Sequence, residues 1–172
     1  MLNIHPAIVH TPVGLLTIYS LLEFLRFKKL LARPYWFYIK AVLVIVGFGG
    51  AIAAYLTGDL LEDAFRGEKL VAVHSNFALA TSILYGVTAA GYLVLWFQKE
   101  YGDAKFLKNK NIAKIWQMKL AVANFLQKTW VAVPLALAAL ICIFITGALG
   151  GAIAYGPDID PMVSLVYHLF FK

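Results

Sequence analysis

Of 172 residues, 62% are hydrophobic, 15% aromatic and 14% charged, whereas a soluble domain runs nearer about one half apolar and one quarter charged. That balance leaves too little polar surface to cover a core, so soluble globular, disordered, collagen-like and disulfide-scaffold folds are excluded. At about 20 residues per crossing, the length holds four membrane spans, or five with almost no loops. The net charge of +6 sits in loops between apolar segments, the pattern of membrane topology and anionic-lipid contact and not of nucleic-acid binding.

Uncharged stretches predict spans at about 6–25, 36–58, 70–98 and 129–155, each near or above the length of a crossing helix and without the alternation of a β-barrel strand. The first span begins beside His5, Pro6, His10 and Pro12. Pro12 frees the carbonyl of Ile8 and either kinks the entry or simply starts the helix. The N-terminus has no Lys or Arg and so lacks the basic stretch of a signal peptide. The second span carries Gly47, Gly49 and Gly50, the third has His74 one turn inside its start, and the fourth carries Gly147, Gly150, Gly151 and the single cysteine, Cys142. No internal disulfide is possible, and the absence of Cys-x-x-Cys-His excludes covalent c-type haem.

Between the spans, Arg26, Lys28, Lys29, Arg33 and Lys40 fall in the first loop, and Lys99, Lys105, Lys108, Lys110, Lys114, Lys119 and Lys128 in the third. The second loop is acidic, with Asp59, Glu62, Asp63 and Glu68 against Arg66 and Lys69. The positive-inside rule places the two basic loops in the cytoplasm and both termini outside. Trp36, Trp96, Trp116 and Trp130 lie at the same predicted cytoplasmic ends, where an indole suits the interface. In the loop 99–128, Ile112, Ile115, Trp116, Leu120, Ala123 and Leu126 form a helical stripe. It reads either as an amphipathic surface helix or as an extension of the fourth span. The tail from Pro161 to Lys172 reads as a short interfacial helix.

The two halves resemble each other. Val9-His10 opens the first span as Val73-His74 opens the third, and Gly49-Gly50-Ala51-Ile52-Ala53 in the second returns as Gly150-Gly151-Ala152-Ile153-Ala154 in the fourth. The expected fold is therefore an all-α membrane protein, a single domain over 1–172, built as two parallel-repeated helix pairs. The glycines let backbones approach each other or let a flat ligand approach the backbone.

Every histidine, His5, His10, His74 and His168, falls on the predicted outer side. Near a helix N-terminus an imidazole stays neutral and keeps a lone pair to donate. Two such rings facing across a pseudo-two-fold axis suit one metal centre, and b-type haem held by His10 and His74, with Gly49, Gly50, Gly150 and Gly151 making room, is the expected cofactor. His5 and His168 either form a second axial pair or join His10 with Asp59 or Glu62 in a zinc or copper site. Interfacial histidines without a ligand, in a cofactor-free structural subunit, remain a third reading. The absence of a charge near any span's midplane argues against a transporter, and the absence of a nucleophile motif against a hydrolase.

The string His5-Pro6-Ala7-Ile8-Val9-His10-Thr11-Pro12-Val13-Gly14-Leu15-Leu16 resembles the opening of a bacterial family of small membrane proteins catalogued as domain of unknown function 2231. The resemblance runs from about Ile4 to Tyr155. It carries over to His5, Pro6, Val9, His10, Pro12 and His74, with Thr11 standing where an aromatic residue is expected. It implies four helices in a bacterial cytoplasmic membrane. Through relatives linked to Rieske or c-type cytochrome modules, it also implies a place in a larger respiratory or photosynthetic electron-transfer complex with a partner on the outer side.

Overall fold

The computed structural model describes residues 5–62, 68–104 and 109–171, the side chains of Pro6 and of 59–62 excepted. Seven helices follow in order: α1 (His5–Phe24), α2 (Lys28–Leu31), α3 (Pro34–Glu62), α4 (Lys69–Tyr101), α5 (Lys110–Leu126), α6 (Thr129–Tyr155) and α7 (Pro161–Phe170). Among the described residues there is no strand. Four helices, α1, α3, α4 and α6, are long and apolar enough to cross a membrane. Their ends fall within four residues of the predicted spans.

Local chemistry sets the boundaries. Pro34, which lacks an amide hydrogen, stands at the first position of α3, where that hydrogen has no helical partner. Asn109 caps α5 by accepting from the amide of Asn111 at 3.1 Å. Gly156, at φ +96°, ends α6 in a conformation closed to other residues. Asp160 then caps α7, accepting from the amides of Met162 and Val163 at 2.8 and 3.0 Å. Replacing Asp160 by Ala is expected to cost about 1 kcal/mol, read as earlier amide exchange in 161–170 with the other helices unchanged.

The four long helices form two antiparallel hairpins, α1 with α3 and α4 with α6, joined through α3–α4 and α1–α6 contacts. The ring order α1, α3, α4, α6 makes α1 and α4 diagonal, and their side chains fill the centre. Tyr19 of α1 stands edge-on to Tyr85 and Tyr92 of α4, with ring centroids 6.3 and 5.9 Å away. Leu16, Ala41, Val44, Ala89, Ala139 and Ile143 complete this core.

The glycine runs divide by helical angle, at about 100° per residue. Gly47 and Gly50 share the α1-facing side. A Cβ on Gly47 would stand 2.7 Å from Leu16, and one on Gly50 would stand 3.1 Å from Pro12, while Gly49 opens onto free space. In α6, Gly150 faces His74, Gly151 faces Val163 of α7, and Gly147 is open. The glycines that are covered are therefore filled by protein side chains.

Helix α5 runs antiparallel to the last turns of α4. The Trp116 indole donates to Gln98 at 2.6 Å, and Leu126 and Ala123 lie over Gly91. The stripe read from the sequence is thus partly a packing face, with Leu120 and Ala123 buried and Ile112 and Ile115 outward. A break at Gln127 and Lys128 separates α5 from α6.

Candidate functional site

Polar groups concentrate at the two ends of the bundle and along the line between them. At the histidine end, His5 and His74 are seated alike. His5 Nδ1 lies 2.9 Å from Thr57 Oγ1. That hydroxyl donates to the carbonyls of Ala53 and Ala54 at 2.9 and 3.0 Å. Its lone pair therefore faces the ring, and Nδ1 carries the proton. His74 Nδ1 lies 3.0 Å from the Thr146 carbonyl, which can only accept, so this ring too is protonated at Nδ1 and its lone pair lies on Nε2. Glycines admit both rings: a Cβ on Gly58 would stand 3.1 Å from His5 Cε1, and one on Gly150 3.2 Å from His74 Cε1. The two imidazoles are within electrostatic reach of each other. Burial holds His5 below the usual imidazole range, and a hydrogen bond to the Ala54 carbonyl partly offsets this.

His10 lies on another face. Five residues after His5 it is rotated by about 140°, and its side chain is exposed. The structure thus turns His5 and His10 to different faces of α1, with His5 near enough to His74 for their charges to interact. His168 is 57% exposed and 3.8 Å from Asp158, beyond a normal hydrogen bond. The carboxylates considered for a zinc or copper site, Asp59 and Glu62, lie outside the residues whose side chains are described, as does Pro6. Among the described residues, no group of three or more His, Cys, Asp or Glu could hold a metal ion. Gly49, Gly50 and Gly151 touch no histidine, and Gly150 touches His74 directly.

A second cluster, at the opposite end, escaped sequence reasoning. Glu23 is 0% exposed and Lys40 4%. Lys40 Nζ donates to Glu23 Oε2 at 2.7 Å, and Arg26 pairs with Oε1. Tyr92 donates to Oε2 at 3.4 Å. Arg26 also donates to the Gln127 carbonyl at 2.9 Å, tying the end of α1 to the α5–α6 junction. An unpaired charge in hydrocarbon is costly, so this carboxylate persists because three groups meet it, Lys40 of α3, Tyr92 of α4 and Arg26 just past α1, with Arg26 held in turn by the junction. The sequence signal was available: Glu23 interrupts an apolar span, and Lys40 follows it at a distance that a hairpin closes. Elsewhere, an apolar groove of 380 Å³ opens between α3 and α4 around Phe48, Ile52, Ile83 and Gly86. It carries no charged group.

These features define a helical membrane protein whose scarce polar residues are gathered inside the bundle. The chain belongs to the family described as predicted membrane protein, domain of unknown function 2231 (DUF2231), whose model matches residues 1–160. No curated protein and no solved structure matches the chain.

Proposed function

We propose that the chain is a b-type haem electron-transfer subunit of a bacterial cytoplasmic membrane, with His74 and His5 as axial ligands at the outer end. The observation that carries this reading is the hydrogen bond from His74 Nδ1 to the Thr146 carbonyl. It fixes the tautomer that offers Nε2, and a metal-binding histidine characteristically donates its other ring N–H to a carbonyl or carboxylate. His5 is held at Nδ1 in the same sense by Thr57. A pair of imidazoles fits haem, whose porphyrin supplies the equatorial donors, whereas bare zinc takes three or four protein ligands, and among the described residues no third His, Cys, Asp or Glu joins the pair. His10, the ligand favoured by the internal repeat, is on the wrong face of α1 for this pair.

When bound, haem supplies one-electron transfer. The chain's own part is to hold two neutral rings at one end of a low-dielectric bundle, with Thr146 and Thr57 setting their orientation. The basic loops favour the Glu23 end as cytoplasmic and the histidine end as outer. The two hairpins, each seating one imidazole against a threonine, suit a parallel repeat related by an axis along the membrane normal. A larger complex, with a c-type cytochrome or Rieske-type partner on the outer side, would take the electron.

The test is the reduced-minus-oxidised spectrum of the purified protein with a pyridine haemochrome count. Haem should be present, lost in His74→Ala and in His5→Ala, and kept in His10→Ala. A protein without haem, or one that keeps it in His74→Ala, overturns the assignment. Zinc or copper without porphyrin would move the site to a metal-binding reading.

A further inference from the structure

At the basic end of the bundle one buried donor has no acceptor. Trp36, in the first turn of α3, is 9% exposed, and among the described residues nothing accepts its indole N–H. A buried tryptophan ordinarily finds a partner for that group, and a donor left without one inside a protein is costly. Other tryptophans of this end obey the rule. Trp116 donates to Gln98 at 2.6 Å, and Trp130 is 65% exposed.

The surroundings of Trp36 are cationic. Trp36 and Lys40 are four residues apart and share a face of α3. Lys40 turns to Glu23 of α1 at 2.7 Å, so the indole lies in the same angle between α1 and α3, one turn nearer the connection 25–33. The Trp36 amide bonds to the Arg33 carbonyl at 3.1 Å, which puts Arg33 at the head of the same turn. The connection folds back through α2, with the Arg33 amide on the Leu30 carbonyl at 3.0 Å and the Ala32 amide on that of Lys28 at 3.1 Å. The side chains of Lys28, Lys29 and Arg33 are exposed. Glu23 is already taken by Lys40 and Arg26, and among the described residues no carboxylate pairs with Lys28, Lys29 or Arg33. The first turn of α3 holds no acidic residue, so the positive end of its dipole is unmatched as well.

We propose that this corner binds the phosphate of an anionic phospholipid, with the Trp36 indole N–H and the Arg33 guanidinium as donors and Lys28 and Lys29 as surrounding charge. A phosphate oxygen is the acceptor that the indole lacks. A guanidinium matches phosphate with paired donors, and the start of a long helix favours the same anion. Basic pockets at the ends of membrane helices are where anionic headgroups lodge. The occupant is a lipid and not a soluble phosphate because an apolar face continues from the corner. Tyr35, Ile39, Val42 and Val46 are all exposed, and their spacing of four, three and four sets them in one stripe along α3, about a quarter turn round the helix from Trp36. An acyl chain laid on that stripe brings its headgroup to the first turn of α3. The exposed side chains of the connection shift to admit the phosphate and then close on it. The site lies at the opposite end of the bundle from His5 and His74 and needs no cofactor.

The test is lipid binding by the purified, delipidated full chain in a nonionic detergent, measured by native mass spectrometry, with the tryptophan indole N–H signals in NMR as a second readout. Dioleoyl phosphatidylglycerol should bind saturably and shift the Trp36 signal, identified as the one missing in Trp36→Phe. Dioleoyl phosphatidylcholine, with the same chains and no net charge, should bind more weakly. Trp36→Phe and Arg33→Gln should each weaken phosphatidylglycerol binding about tenfold, the loss of one hydrogen bond to a charged group, and Trp130→Phe should leave it unchanged. Equal affinity for the two lipids, a Trp36 signal that does not move, or unchanged binding in either variant overturns the proposal. So does inorganic phosphate alone producing the same shift at the same concentration, which would make the ligand a soluble anion. Circular dichroism shows whether Trp36→Phe folds, and Arg33→Gln, at an exposed position, decides the matter if it does not.

Discussion

Replacing Glu23 by Leu should destabilise the bundle by about 3–5 kcal/mol, the usual cost of removing one partner from a buried ion pair. The loss comes less from the missing bond than from what remains. Lys40, buried on α3, is left with no carboxylate to meet it, and Arg26 keeps only its carbonyl partners at Glu23 and Gln127. The double variant Glu23→Leu with Lys40→Leu should recover most of that loss, because both ends of the buried pair are then apolar. Chemical unfolding in detergent micelles, arranged as a double-mutant cycle, measures the coupling. Single variants whose effects simply add would show that the pair is not energetically coupled.

A leucine at Gly47 should cost about 1–3 kcal/mol by overpacking, and the same change at Gly49 should be nearly neutral. The two positions are two residues apart on one helix, yet they meet different surroundings. A Cβ on Gly47 would lie 2.7 Å from Leu16 Cδ2 and 2.8 Å from its Cγ, with Leu15 at 3.2 Å, whereas nothing lies within 4 Å of one on Gly49. Leu16 is fully buried, so either its side chain shifts against packed neighbours or α1 and α3 separate. Unfolding midpoints of the two variants side by side test this directly, and equal midpoints would contradict the α1–α3 packing.

The spans were legible because a crossing helix needs only a long uncharged stretch, and four such stretches stand out. The caps were legible less directly. Asn109 and Asp160 are ordinary capping residues, but only the structure shows which amides they take. The buried charge cluster was not legible for a specific reason: Arg26 and Lys40 were counted as loop cations, and the positive-inside rule gives every such residue the same meaning. Lys40 in fact lies inside α3, two turns from Pro34, with its side chain turned to Glu23. The tyrosines of α4 hid in plain composition, since aromatic residues suit a membrane interior and nothing in their letters shows a hydroxyl reaching across the bundle.

The histidines show the same limit. The repeated Val-His pairs His10 with His74 by position in each half, and that pairing is sound as sequence. Helical geometry decides otherwise for the face each ring presents. His5 lies against Thr57 and Gly58, His10 lies elsewhere, and a glycine that looked like room for a ligand, Gly150, is room for the His74 ring itself. The small-residue runs were read as blocks, whereas each glycine in them answers to a different neighbour.

The Lys40–Glu23 contact also bears on how the chain enters a bilayer. Both residues belong to the first hairpin and are 17 positions apart in sequence. A lone carboxylate in an inserting helix is costly, and α1 by itself carries that cost near its last residue, eased by Arg26 one turn on. Once α3 has emerged, the hairpin neutralises its own burden before α4 exists. The second hairpin then arrives with Tyr92 and the Gln127 carbonyl to finish the coordination, so insertion and assembly become separable stages. A nascent chain ending after α3 already holds both cations against the carboxylate, whereas one ending before Lys40 has only Arg26 there.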